Sequence, residues 1–154
     1  MCIGVACTAT KCICIYECNG KHSEEITYKT FMNHIKENSL LIHDKDNSHN
    51  KLIRELKLSD RSYDSKLLKN LDDKNNPLYR VNNLHNLLKK FLNTHSSFNR
   101  YSLQDYLNLF SFIMNPPSEP LEKVKFLLNR LFVVQHTLKY REFYQNRLRN
   151  ENEN

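Results

Sequence analysis

The stretch that decides the fold is residues 39–44, Ser39-Leu40-Leu41-Ile42-His43-Asp44, a short apolar run ending in an acid. Its length and its abrupt polar end predict a buried strand with a carboxylate at the C-terminal edge. Upstream, CIGVAC (residues 2–7) and KCICIYE (11–17) are rich in β-branched residues and cysteine, and Thr8-Ala9-Thr10 separates them. They predict a hairpin with a weak turn signal. Asn19-Gly20-Lys21 breaks this pattern, and Ser23 followed by Glu24 and Glu25 reads as a helix N-cap with acids in the first turn. Ile26, Phe31 and Ile35 give that helix an apolar face to about Asn38.

Downstream of the strand, Asp46 to Ser48 offers a cap. Leu52, Ile53, Leu56 and Leu58 then recur at helical spacing, opposite Lys51, Arg54 and Lys57. Residues 59–77 read as a polar loop with one short strand near Tyr63, closed by Pro77. The helical period returns over residues 78–92, where Leu84, Leu87, Leu88 and Phe91 share one face and Asn82, His85 and Lys89 align on an adjacent one. After a break at His95-Ser96-Ser97, residues 101–114 form an apolar helix that Pro116-Pro117 stops. Two more helices are expected over residues 121–132 and 138–148, before a disordered tail at 151–154. The order predicts an α/β fold, a small mixed sheet flanked by helices and followed by an all-helical C-terminal region, in a single domain over residues 1–150.

Composition narrows the function. The 154 residues are 40% apolar and 26% charged, which describes a globular chain with a core and no membrane span. With only two glycines, Gly4 and Gly20, no phosphate-cradling glycine loop can be written. A net charge of +6 favours a polyanionic partner without choosing one. All five cysteines fall within the first eighteen residues, an odd and clustered set that makes a poor disulfide framework. They read as small buried hydrophobes or as zinc ligands, in a reducing cytoplasm.

Asp44 is the sharpest single residue. A carboxylate at a strand's C-terminal edge lies where α/β sheets place ligands, so it reads either as a hard-metal ligand or, with Asp46 and Ser48, as a helix cap. Asn82 and Lys89, two turns apart on one helix, could hold a metal and a phosphate along one line or form a solvated stripe.

The stretch LIHDKDNSHNKLIREL, followed by DKNNPLYRVNNLHNLLKKFLNTHSSFNRYSLQDYLNLFSFIMNPP, resembles the C-terminal part of bacterial insertion-sequence transposases of the DDE, ribonuclease-H-like superfamily. The resemblance is to the group with a D-D-N-K signature, and it spans residues 2–143. It implies that Asp44 is the second acidic metal ligand, that Asn82 takes the third position, and that Lys89 contacts DNA near the cleaved phosphate. It further implies Mg²⁺ or Mn²⁺ as cofactor, and two ions bridging the ligands and the scissile phosphodiester for DNA strand cleavage and transfer. Lys51, Arg54, Lys57, Lys90 and Arg100 are candidate DNA contacts. Insertion-sequence ends and target DNA are the expected partners, with a homo-oligomer or a full-length transposase.

The family's first aspartate lies on the first of three antiparallel strands, whereas this sequence has no aspartate before Asp44 and two strands before the first helix. The chain is therefore expected to be a truncated ribonuclease-H-like domain lacking its first strand, inactive in cleavage alone and weak in metal binding. The alternative is a non-catalytic module that binds DNA or a transposase and acts as a regulator.

Overall fold

A computed structural model of the chain describes residues 1–68, 71–94 and 100–133. The hairpin forms as β1 (Cys2–Cys7) and β2 (Cys12–Cys18), antiparallel, with Cys7 opposite Cys12, Val5 opposite Cys14 and Ile3 opposite Tyr16. Its turn has no glycine. The Thr8 hydroxyl accepts from the Lys11 N–H at 3.1 Å, and the Thr8 N–H donates to the Lys11 carbonyl at 2.8 Å, so a threonine side chain closes the reversal.

Strand alternation gives the hairpin two apolar faces. Cys12, Cys14, Ile3, Val5 and Tyr16 pack against Leu84 and Leu88 of α4 (Tyr79–Thr94) and against Leu103, Leu107 and Phe110 of α5 (Leu103–Met114). Ala6, Ile13 and Ile15 face Phe31 of α1 (Glu24–Phe31) together with Leu52, Leu56 and Leu58. The second face needs Gly4, because a Cβ there would lie 2.6 Å from the Phe31 ring. Cys12 and Cys14 are buried and behave as the small core residues their setting predicts.

The outer edge of β2 is covered by side chains of α5 and of its C-cap. Gln104 accepts from the Tyr16 N–H at 2.9 Å and Ser111 from the Cys14 N–H at 3.1 Å, while Asn115 accepts from the Cys12 N–H at 2.6 Å. Gln104 and Asn115 also donate back to the Cys14 and Cys12 carbonyls, at 3.3 and 2.9 Å. This is an edge strand satisfied by side chains in place of a third strand. Since Cys12, Cys14 and Tyr16 turn their backbone groups outward, their opposite numbers Cys7, Val5 and Ile3 do so on β1.

Ser23 caps α1 as expected, its hydroxyl accepting from the Ile26 N–H at 3.4 Å. The helix ends at Phe31, earlier than the apolar spacing predicts. Looser turns carry Ile35 onto the same core, and Asn38 at φ 59° turns the chain into β3 (Leu40–Asp44). A 3₁₀ turn (Asn47–His49) and α2 (Asn50–Glu55) then lead to β4 (Ser59–Tyr63), which pairs in parallel with β3 from Leu40 opposite Ser59 to Asp44 opposite Tyr63.

The chain is thus mixed α/β, but the strands form two separate two-stranded sheets, one antiparallel and one parallel, rather than one mixed sheet. β1 and β3 are not hydrogen-bonded to each other, although both sheets contribute to the core under α1 and α2, β3 through Leu41. A short helix, α3 (Ser65–Leu68), follows β4, and only helices follow it among the described residues.

The chain divides into two units, Met1–Pro116 and one beginning at Pro117. Within the second, α6 (Pro120–Val133) is described, starting on a proline whose missing N–H costs nothing at a helix N-terminus. The predicted break at His95-Ser96-Ser97, the helix at 138–148 and the tail at 151–154 lie outside the described residues.

Candidate functional site

Asp44 ends β3 and is exposed. The cap of the following turn is Asp46, whose Oδ1 accepts from the Ser48 N–H at 2.8 Å, so Asp44 takes no part in capping. That bond, more than the neighbouring His22, pulls the Asp46 carboxyl down to about 2. The turn brings His49 back over the strand end: its Nδ1 lies 3.8 Å from Asp44 Oδ1 and 3.1 Å from His43 Nδ1. The two rings meet edge to face, centroids 4.9 Å apart. Two facing Nδ1 atoms need one proton between them, so one ring donates and the other accepts. Burial, and then His43, hold His49 below the usual imidazole range, against the opposite pull of Asp44 and Asp46. His43 is buried, and its Nε2 lies 3.5 Å from Asp60 Oδ2 without hydrogen-bond geometry.

The helical stripe forms as its spacing predicts. Leu84 and Leu88 bury one side of α4, while Asn82, His85, Asn86 and Lys89 line an open cavity of about 550 Å³. The Asn76 side chain accepts from the Leu78 N–H at 2.9 Å, setting the start of this helix across Pro77. His85 is held below its ordinary range, first by burial and then by the Lys89 cation, while the Asp44 carboxylate acts in the opposite direction.

The basic residues differ in their engagements. Lys51 pairs with Glu25, and its ammonium sits 5.1 Å from the Tyr28 ring centroid, so it fastens α2 to α1. Arg54 is exposed and bonds its neighbour Glu55 at 3.2 Å. Lys57 is exposed at φ 51° between α2 and β4, and Lys89 and Lys90 are exposed side by side on α4. Arg100 opens a 3₁₀ turn (Arg100–Ser102), and its side chain lies outside the described residues.

Asp44 and Asn82 offer hard oxygen donors of the kind Mg²⁺ accepts while keeping several waters. The atoms that close on Asp44 are imidazole nitrogens, with His43, Asp44 and His49 presenting ligand atoms within 4.8 Å of one another. That set suits Mn²⁺ or Zn²⁺ better than Mg²⁺. The His43–His49 pairing escapes sequence reasoning because a strand residue and a turn residue six positions apart meet only once the turn geometry is known. The His85 contribution was legible as spacing, on the same stripe as Asn82 and Lys89.

No family model, curated protein or solved structure is detectably similar to the chain. No helix among the described residues is long and apolar enough to cross a membrane.

Proposed function

We propose that this chain is a transposase-type, ribonuclease-H-like domain that engages the DNA backbone, with Asp44 and Asn82 sharing a divalent cation and Lys89 facing a phosphate. The observation that carries this reading is a pair of placements, an exposed Asp44 at the end of the parallel strand β3 and an open cavity on α4 lined by Asn82, His85 and Lys89. An acid at the end of a parallel strand, and a helix presenting an amide oxygen and a lysine seven residues on, are the donor types of the transposase group that the sequence resembles.

One carboxylate and one neutral amide hold an ion weakly, so the chain is expected to bind DNA and to be inactive in cleavage when alone. A bound ion would supply charge neutralisation at a phosphate. Asp44 would supply the charged ligand, and Lys89 would position the phosphate by its point charge.

The test is fluorescence anisotropy on a labelled DNA duplex between 50 and 200 mM salt, with and without Mn²⁺. The reading predicts affinity that falls steeply with salt, a salt slope shallower by about 1 in Lys89→Ala, and tightening by Mn²⁺ that Asp44→Ala abolishes. Affinity that ignores salt, or Mn²⁺ tightening that survives Asp44→Ala, would overturn it. Binding that passes the salt test with no Mn²⁺ response would favour the regulatory module.

A further inference from the structure

We propose that Cys2, Glu17 and His22 form a zinc site with three protein ligands, that Asp46 holds His22 in the ligating tautomer, and that the fourth position is left to water or an external donor. The three residues lie at the open end of the hairpin and in the segment leading into α1, and their ligand atoms fall within 4.8 Å of one another. Cys2 Sγ is 3.2 Å from Glu17 Oε2 and 3.3 Å from His22 Nδ1. In a tetrahedral zinc site with bonds of about 2.3 Å to sulfur and about 2.0–2.1 Å to nitrogen or oxygen, neighbouring ligand atoms stand roughly 3.5 Å apart. The two Cys2 contacts therefore need to open by only a few tenths of an ångström to receive the ion.

The protons point the same way. The other ring nitrogen of His22, Nε2, lies 3.1 Å from Asp46 Oδ2, and Asp46 is a carboxylate because the Ser48 N–H bonds its other oxygen. Nε2 therefore carries the proton, and Nδ1 turns a lone pair toward Cys2. The single Cys2 proton then faces two acceptors, the Glu17 carboxylate and His22 Nδ1, and can satisfy one of them. A divalent cation satisfies all three donors at once. A carboxylate behind the distal nitrogen of a ligating histidine is the second-layer contact that fixes ring orientation in metal sites.

Burial, and then Glu17, push the Cys2 thiol up to about 11, so the cluster without metal is a neutral thiol beside a carboxylate. Binding exchanges the S–H proton for a sulfur–metal bond and releases that proton to solvent. Cys18, opposite Cys2, directs its thiol to the Gly20 and Lys21 carbonyls and stands outside the set. His22 and Asp46 also border an open cavity of about 410 Å³. The three ligands and Asp46 join both ends of the hairpin, the start of α1 and the turn after β3, so a bound ion would tie these elements together.

Full-length metal-free protein titrated with Co²⁺ and Zn²⁺ tests the assignment. The wild type should develop a thiolate-to-cobalt charge-transfer band that saturates at one equivalent of sulfur-bound Co²⁺ and that Zn²⁺ bleaches. The apparent affinity should rise about tenfold per pH unit, as expected for release of one proton. Cys2→Ser should abolish the band, Glu17→Gln and His22→Gln should weaken binding, and Cys18→Ser should leave it intact. Asp46→Asn should weaken it about 10- to 100-fold. A wild-type protein without the band overturns the proposal, whatever the variants do. So does a band that persists in Cys2→Ser or vanishes in Cys18→Ser, and an unchanged affinity in Asp46→Asn removes the orienting role.

Discussion

Asn115→Ala tests how the fold closes its sheet edge. Asn115 serves both backbone groups of Cys12, accepting from the N–H at 2.6 Å and donating to the carbonyl at 2.9 Å, and Cys12 is only 9% exposed. Truncation leaves a donor and an acceptor without partners beneath α5. Each such group costs about 1–3 kcal/mol, and partial access to water places the sum at about 2–3 kcal/mol. The folded-to-unfolded ratio would fall roughly 30- to 150-fold. In urea denaturation followed by circular dichroism, the midpoint should move down by about 1–2 M with an unchanged slope. Asn108→Ala is the control, because Asn108 is exposed and bonds only the solvent side of Gln104, at 2.9 Å, so it should stay within about 0.5 kcal/mol of wild type. Exposing a β edge should also raise the tendency to aggregate. A loss below 1 kcal/mol for Asn115→Ala, or equal losses for the two variants, would show that the cap does not hold α5 to the hairpin.

Three further expectations rest on other contacts. Gly4→Ala would drive a methyl to 2.6 Å from the buried Phe31 ring and 2.7 Å from Glu17 Oε1, so thermal unfolding should report a loss of about 1–3 kcal/mol. On acidification, His49 and His85, both held below the ordinary imidazole range, contribute stability that is complete above about pH 6.5 and is lost as pH falls through their folded values. Asp46, at about 2 in the folded chain, contributes stability that is complete above its unfolded value of about 3.9 and is lost as pH falls toward 2, so urea midpoints should decline in two stages. Lys51→Ala should leave DNA affinity nearly unchanged because its ammonium is committed to Glu25 and Tyr28, whereas Lys89→Ala and Lys90→Ala should weaken it, as anisotropy titration would show.

Much of this architecture could be read from residue order. The hairpin, the Ser23 cap, the strand ending at Asp44 and the Asn82–Lys89 stripe follow from alternation, capping chemistry and helical period, which are local properties of the chain, but the burial expected of that strand is not found, since Leu40 and Ile42 are exposed and only His43 is buried. What escaped depends on contacts distant in sequence. Gln104, Ser111 and Asn115 read as polar positions on or just beyond a helix, and nothing local says they serve a strand some ninety to one hundred residues upstream. At the site, Asp44 was visible as an acid at a strand end and His85 as part of the Asn82–Lys89 stripe, but the meeting of His43 with His49 was not, because a 3₁₀ turn brings the two rings together. The cysteines divide by position: Cys12 and Cys14 belong to the core, while Cys2 sits with Glu17 and His22 at the hairpin's open end.

Paramagnetic broadening of backbone amide signals with substoichiometric Mn²⁺ reads whether Asp44 and Asn82 share a divalent ion. If they do, the amides of Asp44 and Asn82 broaden together, those of His49 and His85 broaden with them, and Asp44→Ala removes the effect at Asn82. Broadening at Asp44 that leaves Asn82 sharp, or loss at Asn82 that persists in Asp44→Ala, would contradict a shared ion.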